Sequence, residues 1–275
     1  MEITKPACFS DGIPSGGGTS IQSTRPERNA ASRVLASGMG NSIYHGVTIK
    51  VERRFSQGFQ LLTSYTFGKA LNDTGHTLGS SGQAFRDINN RALDRGLAEF
   101  DVPGRFVTSW IWELPWGKKF TGLSKYVLGG WQTTGIFFVQ SGYPFSITSQ
   151  IRNCGCGGTV RPDPVAGVDP IFRNDNVKEL YLNTAAFQAP ATGTFGKIGQ
   201  SYLHGPGWTQ MDLSIFKNFD ITERQRIQFR SELFNLSNTP AFQNPATTWG
   251  AADFGKISGT RNRGRQIQFA LRYMF

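Results

Sequence analysis

The side chains best suited to chemistry are too scattered along this chain to form a reacting set. His45, His76 and His204 lie far apart, and none belongs to a zinc or nucleophile motif. Gly79-Ser80-Ser81-Gly82 lacks the G-x-S-x-G pattern of a nucleophile elbow. Gly38-Met39-Gly40 lacks the third glycine of a dinucleotide fingerprint. There are three cysteines, and an odd number excludes complete intramolecular pairing. Cys8 stands alone, while Cys154 and Cys156 read as a thiol pair or disulfide in a Gly-rich loop, since further metal ligands are not nearby. Asp94, Glu99 and Asp101 read as solvated or ion-paired loop carboxylates. The expectation is a protein that is not an enzyme, with no cofactor and no metal.

Polar residues that recur at every second position are the better lead, and they depend on strands. From Ile43 to Phe55, Ile43, Val47, Ile49, Val51 and Phe55 alternate with Tyr44, Thr48, Lys50, Glu52 and Arg54. This period of two marks a strand with one apolar and one polar face. Ser56-Gln57-Gly58 reads as a tight turn into Phe59, Leu61, Thr63, Tyr65 and Phe67. Further apolar rows are Phe106–Leu114, Trp131–Val139 and Met211–Phe219, each at alternate positions, with a turn around Pro115–Lys118. Asp220-Ile221-Thr222-Glu223 could open a helix as a capping box, but Ile227, Phe229, Ser231 and Leu233 alternate and favour a strand. The seventh strand is Gln266–Phe275. Residues 1–40 carry Gly, Ser, Pro and Arg without period and read as irregular, leaving 41–275 as the folded unit.

Short turns and long connections alternate along these seven strands, as in an outer-membrane barrel with short periplasmic turns and long extracellular loops. Strands of about 10 residues also suit a tilted bilayer crossing. The fold class read from the sequence is therefore all-β: an antiparallel up-and-down meander forming part of a transmembrane β-barrel. The longest apolar run is Ile136–Val139, far below the roughly 20 residues of a spanning helix. The net charge of +10 raises the question of nucleic acid, yet Lys and Arg are spread through strands and loops, with no RNP motif or zinc-finger spacing. Nucleic acid is not expected as a partner.

On this reading Lys50, Glu52, Arg54, Gln60, Gln132, Gln228, Arg230, Glu232, Gln268 and Arg272 face the lumen and are candidates for a substrate path. Ile267, Phe269, Leu271, Tyr273 and Phe275 form the opposite, lipid-facing row of the last strand, ending on an aromatic at the level of the interfacial girdle.

Several segments resemble the barrel of Oar-like TonB-dependent receptors. They are Asn41-Ser42-Ile43-Tyr44-His45 leading to Val51-Glu52-Arg53-Arg54-Phe55-Ser56, and the strand Leu62-Thr63-Ser64-Tyr65-Thr66-Phe67. Gln140-Ser141-Gly142-Tyr143-Pro144-Phe145, Phe234-Asn235-Leu236-Ser237-Asn238 and Arg265-Gln266-Ile267-Gln268-Phe269-Ala270-Leu271 are similar as well. Where that family tends to place basic residues and His after Phe100-Asp101-Val102, this chain has Pro103-Gly104-Arg105. The resemblance implies a transporter in the bacterial outer membrane, with an internal plug and TonB-type energy coupling. It implies outer-membrane lipid and the barrel-assembly machinery as partners, the last strand serving as assembly signal. Such transporters have about 22 strands, so seven strands are expected to be a C-terminal fragment whose N-terminal barrel, plug and export signal lie elsewhere. The competing reading is a soluble extracellular β-sandwich that binds glycans.

Overall fold

In the computed structural model the described residues are 40–73, 86–87, 90–116, 122–151, 159–172 and 180–275. Seven long strands dominate: β1 (Ser42–Ser56), β2 (Phe59–Asn72), β3 (Gly104–Glu113), β4 (Trp131–Gln140), β5 (Trp208–Asp220), β6 (Arg226–Phe234) and β7 (Gln266–Met274). They pair in sequence order, antiparallel throughout, with the short segment Gly96–Leu97 added to the end of β2. This is the all-β meander that the alternation predicts, and among the described residues it does not close on itself: β1 and β7 are its two edges.

The β1–β2 turn is two residues, Gln57 and Gly58, with φ of 54° and 78°. Two positive φ values define the hairpin turn whose twist matches that of its strands, and Gly58 takes its place there without steric cost. The β5–β6 turn spans residues 221–225, and its Thr222 Oγ1 accepts from the Gln225 N–H at 3.1 Å. The third connection at this end, residues 114–130, carries α1 (Leu123–Leu128), an element that the alternation does not announce, and Gly117 of the expected turn lies outside the described residues. Lys118, Cys8, His76, Cys154, Cys156, the Gly79–Gly82 stretch and the irregular segment through residue 39 lie outside the described residues.

The three long connections lie at the opposite end and, instead of remaining separate loops, share a core. Phe145, Ile147, Tyr181, Leu182, Phe187 and Ile198 from the β4–β5 connection bury together with Phe254 and Ile257 from the β6–β7 connection. A charged cluster ties in the β2–β3 connection. Arg86 donates to Asp94 at 2.8 Å and to the carbonyls of Phe195 and Gly196 at 3.2 and 3.3 Å, while Arg161 stands 3.4 Å from Asp94. Desolvation lowers the pKa of both guanidiniums, that of Arg161 to about 10 with further help from the charge of Arg86. Asp94 is thus ion-paired. These connections form a cap over one end of the sheet.

Candidate substrate path along the inner face

Residues directly opposite in a ladder point to the same face, so the register assigns each side chain to one of two surfaces. One row across the sheet is Leu61, Trp110, Gly135, Leu213, Leu233 and Ile267. Another is Phe59, Trp112, Thr133, Ile215, Ser231 and Phe269. This face is mostly apolar yet open to its surroundings: Ile49, Phe269 and Leu271 are 60%, 70% and 72% exposed. Among the described residues, no second layer covers them. A water-soluble sandwich would bury them, whereas hydrocarbon favours them where they stand.

The opposite face carries rows of the other kind. Gln60, Ile111, Thr134, Ser214, Glu232 and Gln268 form one. Glu113, Gln132, Phe216, Arg230 and Ala270 form the next, and Asn218, Gln228 and Arg272 a third. Lys50 pairs with Ser64, and Glu52 with Leu62, on this same face. Nine of the ten polar candidates therefore share one surface. Arg54 does not enter a row, because the register between Arg53 and Ser56 shifts.

Much of this polarity is internally satisfied. Lys50 and Glu52 pair at 2.9 Å, and Arg230 and Glu232 at 3.3 Å, with the Arg230 guanidinium 4.6 Å above the Phe216 ring. Gln228 donates to Asn218 at 3.0 Å. Asp212, which the sequence reading passed over, accepts from Gln210 at 3.0 Å and from the Asn235 N–H at 2.8 Å. A hollow of about 410 Å³ lies mid-face between Gln60, Ser109, Thr134, Asp212 and Phe234. A second, of about 490 Å³, opens at the turn end beside Gln132, Asn218 and Arg226. Among the described residues, no group of three or more His, Cys, Asp or Glu side chains could hold a metal.

At the capped end the inner face changes character. Arg105, Gln140 and Trp208 form its last row. Trp208 meets the rings of Phe138 and Tyr143 edge-on, with centroids 6.2 and 5.7 Å apart. The sequence reading missed this group. The inner parity of β3 to β5 could have given Arg105, Gln140 and Trp208, but nothing local signals that Arg261 of the last long connection lies over Trp208.

An antiparallel meander with one apolar outward face, one polar inner face and its three longest connections at one end is the architecture of an outer-membrane β-barrel protein. The chain matches the outer membrane beta barrel domain family over residues 5–268, and it belongs to that family. It is accordingly a protein of the bacterial outer membrane, and the soluble sandwich is set aside. A comparison with curated proteins gave no match.

Proposed function

We propose that the chain is the C-terminal part of a TonB-dependent, Oar-like transport barrel that admits a substrate across the outer membrane, and that it turns no substrate over. The observation that carries this is the direction of its two free edges. Among the described residues the sheet has seven long antiparallel strands, and β1 and β7 both run from the capped end to the turn end. The two edges would meet in parallel, whereas bacterial barrels are antiparallel throughout. A second copy in the same membrane orientation presents only parallel edges too. Closure therefore calls for an odd number of additional strands, the first and last running toward the cap. A larger barrel of about 22 strands meets that condition. The polar inner face then borders the lumen, and Lys50, Gln60, Gln132, Gln228, Arg230, Glu232, Gln268 and Arg272 line it.

A photoreactive side chain placed at Val51 on the β1 edge tests this in native outer membranes. Capture of an N-terminal barrel segment joined to a plug supports the reading. Capture of a second copy overturns it, as does energy-dependent uptake by cells holding this chain alone.

A further inference from the structure

The capped end of the inner face carries two guanidiniums without an acidic partner among the described residues. Arg105 makes no ion pair among the described residues, nor does Arg261. Arg261 is nevertheless held in place. Its Cζ lies 5.1 Å from the Tyr143 ring centroid and 5.2 Å from that of Trp208. Its Nη2 donates to Asn244 Oδ1 at 2.8 Å, and its backbone N–H donates to the Ala241 carbonyl at 2.6 Å. The guanidinium is thus laid across two rings and fixed by one bond, while the residue stays exposed. Its remaining side-chain donors have no partner among the described residues.

The backbone is shaped to permit this. A Cβ at Gly205 would run into Asn244 Oδ1, the atom that accepts from Arg261. A side chain at position 205 would have to push the Asn244 amide aside. Between Arg105 and Trp208 lies Gln140, 5% exposed, whose Nε2 has no hydrogen-bond partner among the described residues. A buried donor left unmet calls for a water or ligand to complete it. Arg105 and Trp208 stand two strand spacings apart, about 10 Å, so one small molecule can touch both. The polar groups here that lack partners are donors, and the flat groups are aromatic faces.

We propose that Arg261, Arg105, Trp208 and Tyr143 form a subsite for a ring-bodied carboxylate at the outer mouth of the inner face. The Arg261 fork takes the carboxylate through paired N–H donors, and the aromatic rings take the apolar face of the ring. The proposal rests on the transporter reading for its access route, but binding alone tests it.

The full chain, extracted in detergent from outer membranes, is titrated with galacturonic acid while tryptophan fluorescence is followed. Galactose serves as the neutral ring and acetate as the ringless anion. The expected result is saturable quenching by galacturonate, with both controls at least about tenfold weaker. Arg261→Lys keeps the charge but loses the fork, so it should weaken binding by about tenfold. Trp208→Phe should remove most of the signal, and Arg105→Gln should weaken binding severalfold. If Arg261→Lys fails to fold, the Arg105 and Trp208 variants decide. Absence of galacturonate binding, equal binding of galactose, or full affinity in the variants overturns the subsite. Binding without any energy-dependent uptake in the complete barrel would instead sink the transporter reading and leave the subsite standing.

Discussion

The Asp101 carboxylate reaches across 103 positions of sequence to His204, its Oδ2 standing 2.9 Å from the ring Nε2. Its other oxygen accepts the backbone N–H of Ala70 at 2.6 Å, where β2 enters the cap. One buried side chain therefore fixes the end of a membrane strand to the connection that precedes β5. Asp101→Ala strands the Ala70 N–H in a site only 2% exposed. The expected loss is about 1–3 kcal/mol, read by denaturant unfolding. Asp101→Asn keeps an acceptor for Ala70 and should cost less. An equal loss in both variants would show that the charge facing His204, not the Ala70 bond, is what matters.

Tyr181 gives the cap a dependence on alkaline pH. Its hydroxyl donates to the His204 carbonyl at 2.9 Å, and burial raises its pKa above the ordinary 10.0. The folded state thus favours the neutral phenol. The stabilisation is complete below pH 10 and is lost as pH rises through the folded value. Arg161 contributes the opposite slope, because desolvation lowers its pKa to about 10 and its burial penalty fades above that pH. Comparing wild type with Tyr181→Phe isolates the phenol. The variant should be destabilised by about 1 kcal/mol at neutral pH and should lose less stability on going to high pH. Parallel pH curves for the two proteins would count against this assignment.

The two halves of this structure differ in how far the sequence exposes them. The strands are legible because a half-lipid, half-lumen surface imposes a period of two, as from Ile43 to Phe55. The cap is not, because its core is assembled from short aperiodic pieces: Phe145, Leu182 and Ile257 come from three stretches rich in Gly, Pro and Asn. Polar contacts such as Asp101 with His204 are equally silent, having no local pattern. The lumen candidates were legible as a face, but not as a site. Arg261 belongs to no strand, and only tertiary structure lays it over Trp208.

Lys217 interrupts the apolar outward row of β5, between Ile215 and Phe219. The fold accommodates it at the turn end. Its ammonium donates to the carbonyls of Val127, at 3.1 Å, and of Gly129, just past α1, and it lies 5.0 Å from the Trp131 ring and 5.1 Å from that of Phe219. The cation therefore anchors the 114–130 link against the outer face. Lys217→Met preserves length and removes the donors, and should cost about 1.5–3 kcal/mol, the range for bonds to charged groups. The readout is faster proteolysis within 114–130 than in wild type. A link equally resistant in the variant would show that α1 is held by other contacts.

The last prediction separates the two faces by what they touch. Phe229 stacks on Phe269 across β6 and β7, with ring centroids 6.3 Å apart. Their sequence neighbours Gln228 and Gln268 belong to inner rows. If the outward face meets hydrocarbon, Arg at Phe229 or Phe269 places a cation in lipid and costs roughly 2–4 kcal/mol near the midplane, falling to about 0–1 near the interfaces. Arg at Gln228 or Gln268 stays hydrated and costs little. Stability alone does not settle the matter, because any buried face rejects Arg. Access from the lipid does. In the complete barrel, nitroxides at positions 229 and 269 should be relaxed by a quencher dissolved in the bilayer, while those at 228 and 268 should respond to a water-soluble one. Equal response on both faces to the lipid quencher, or none on either, would remove the proposed lumen and with it the substrate path.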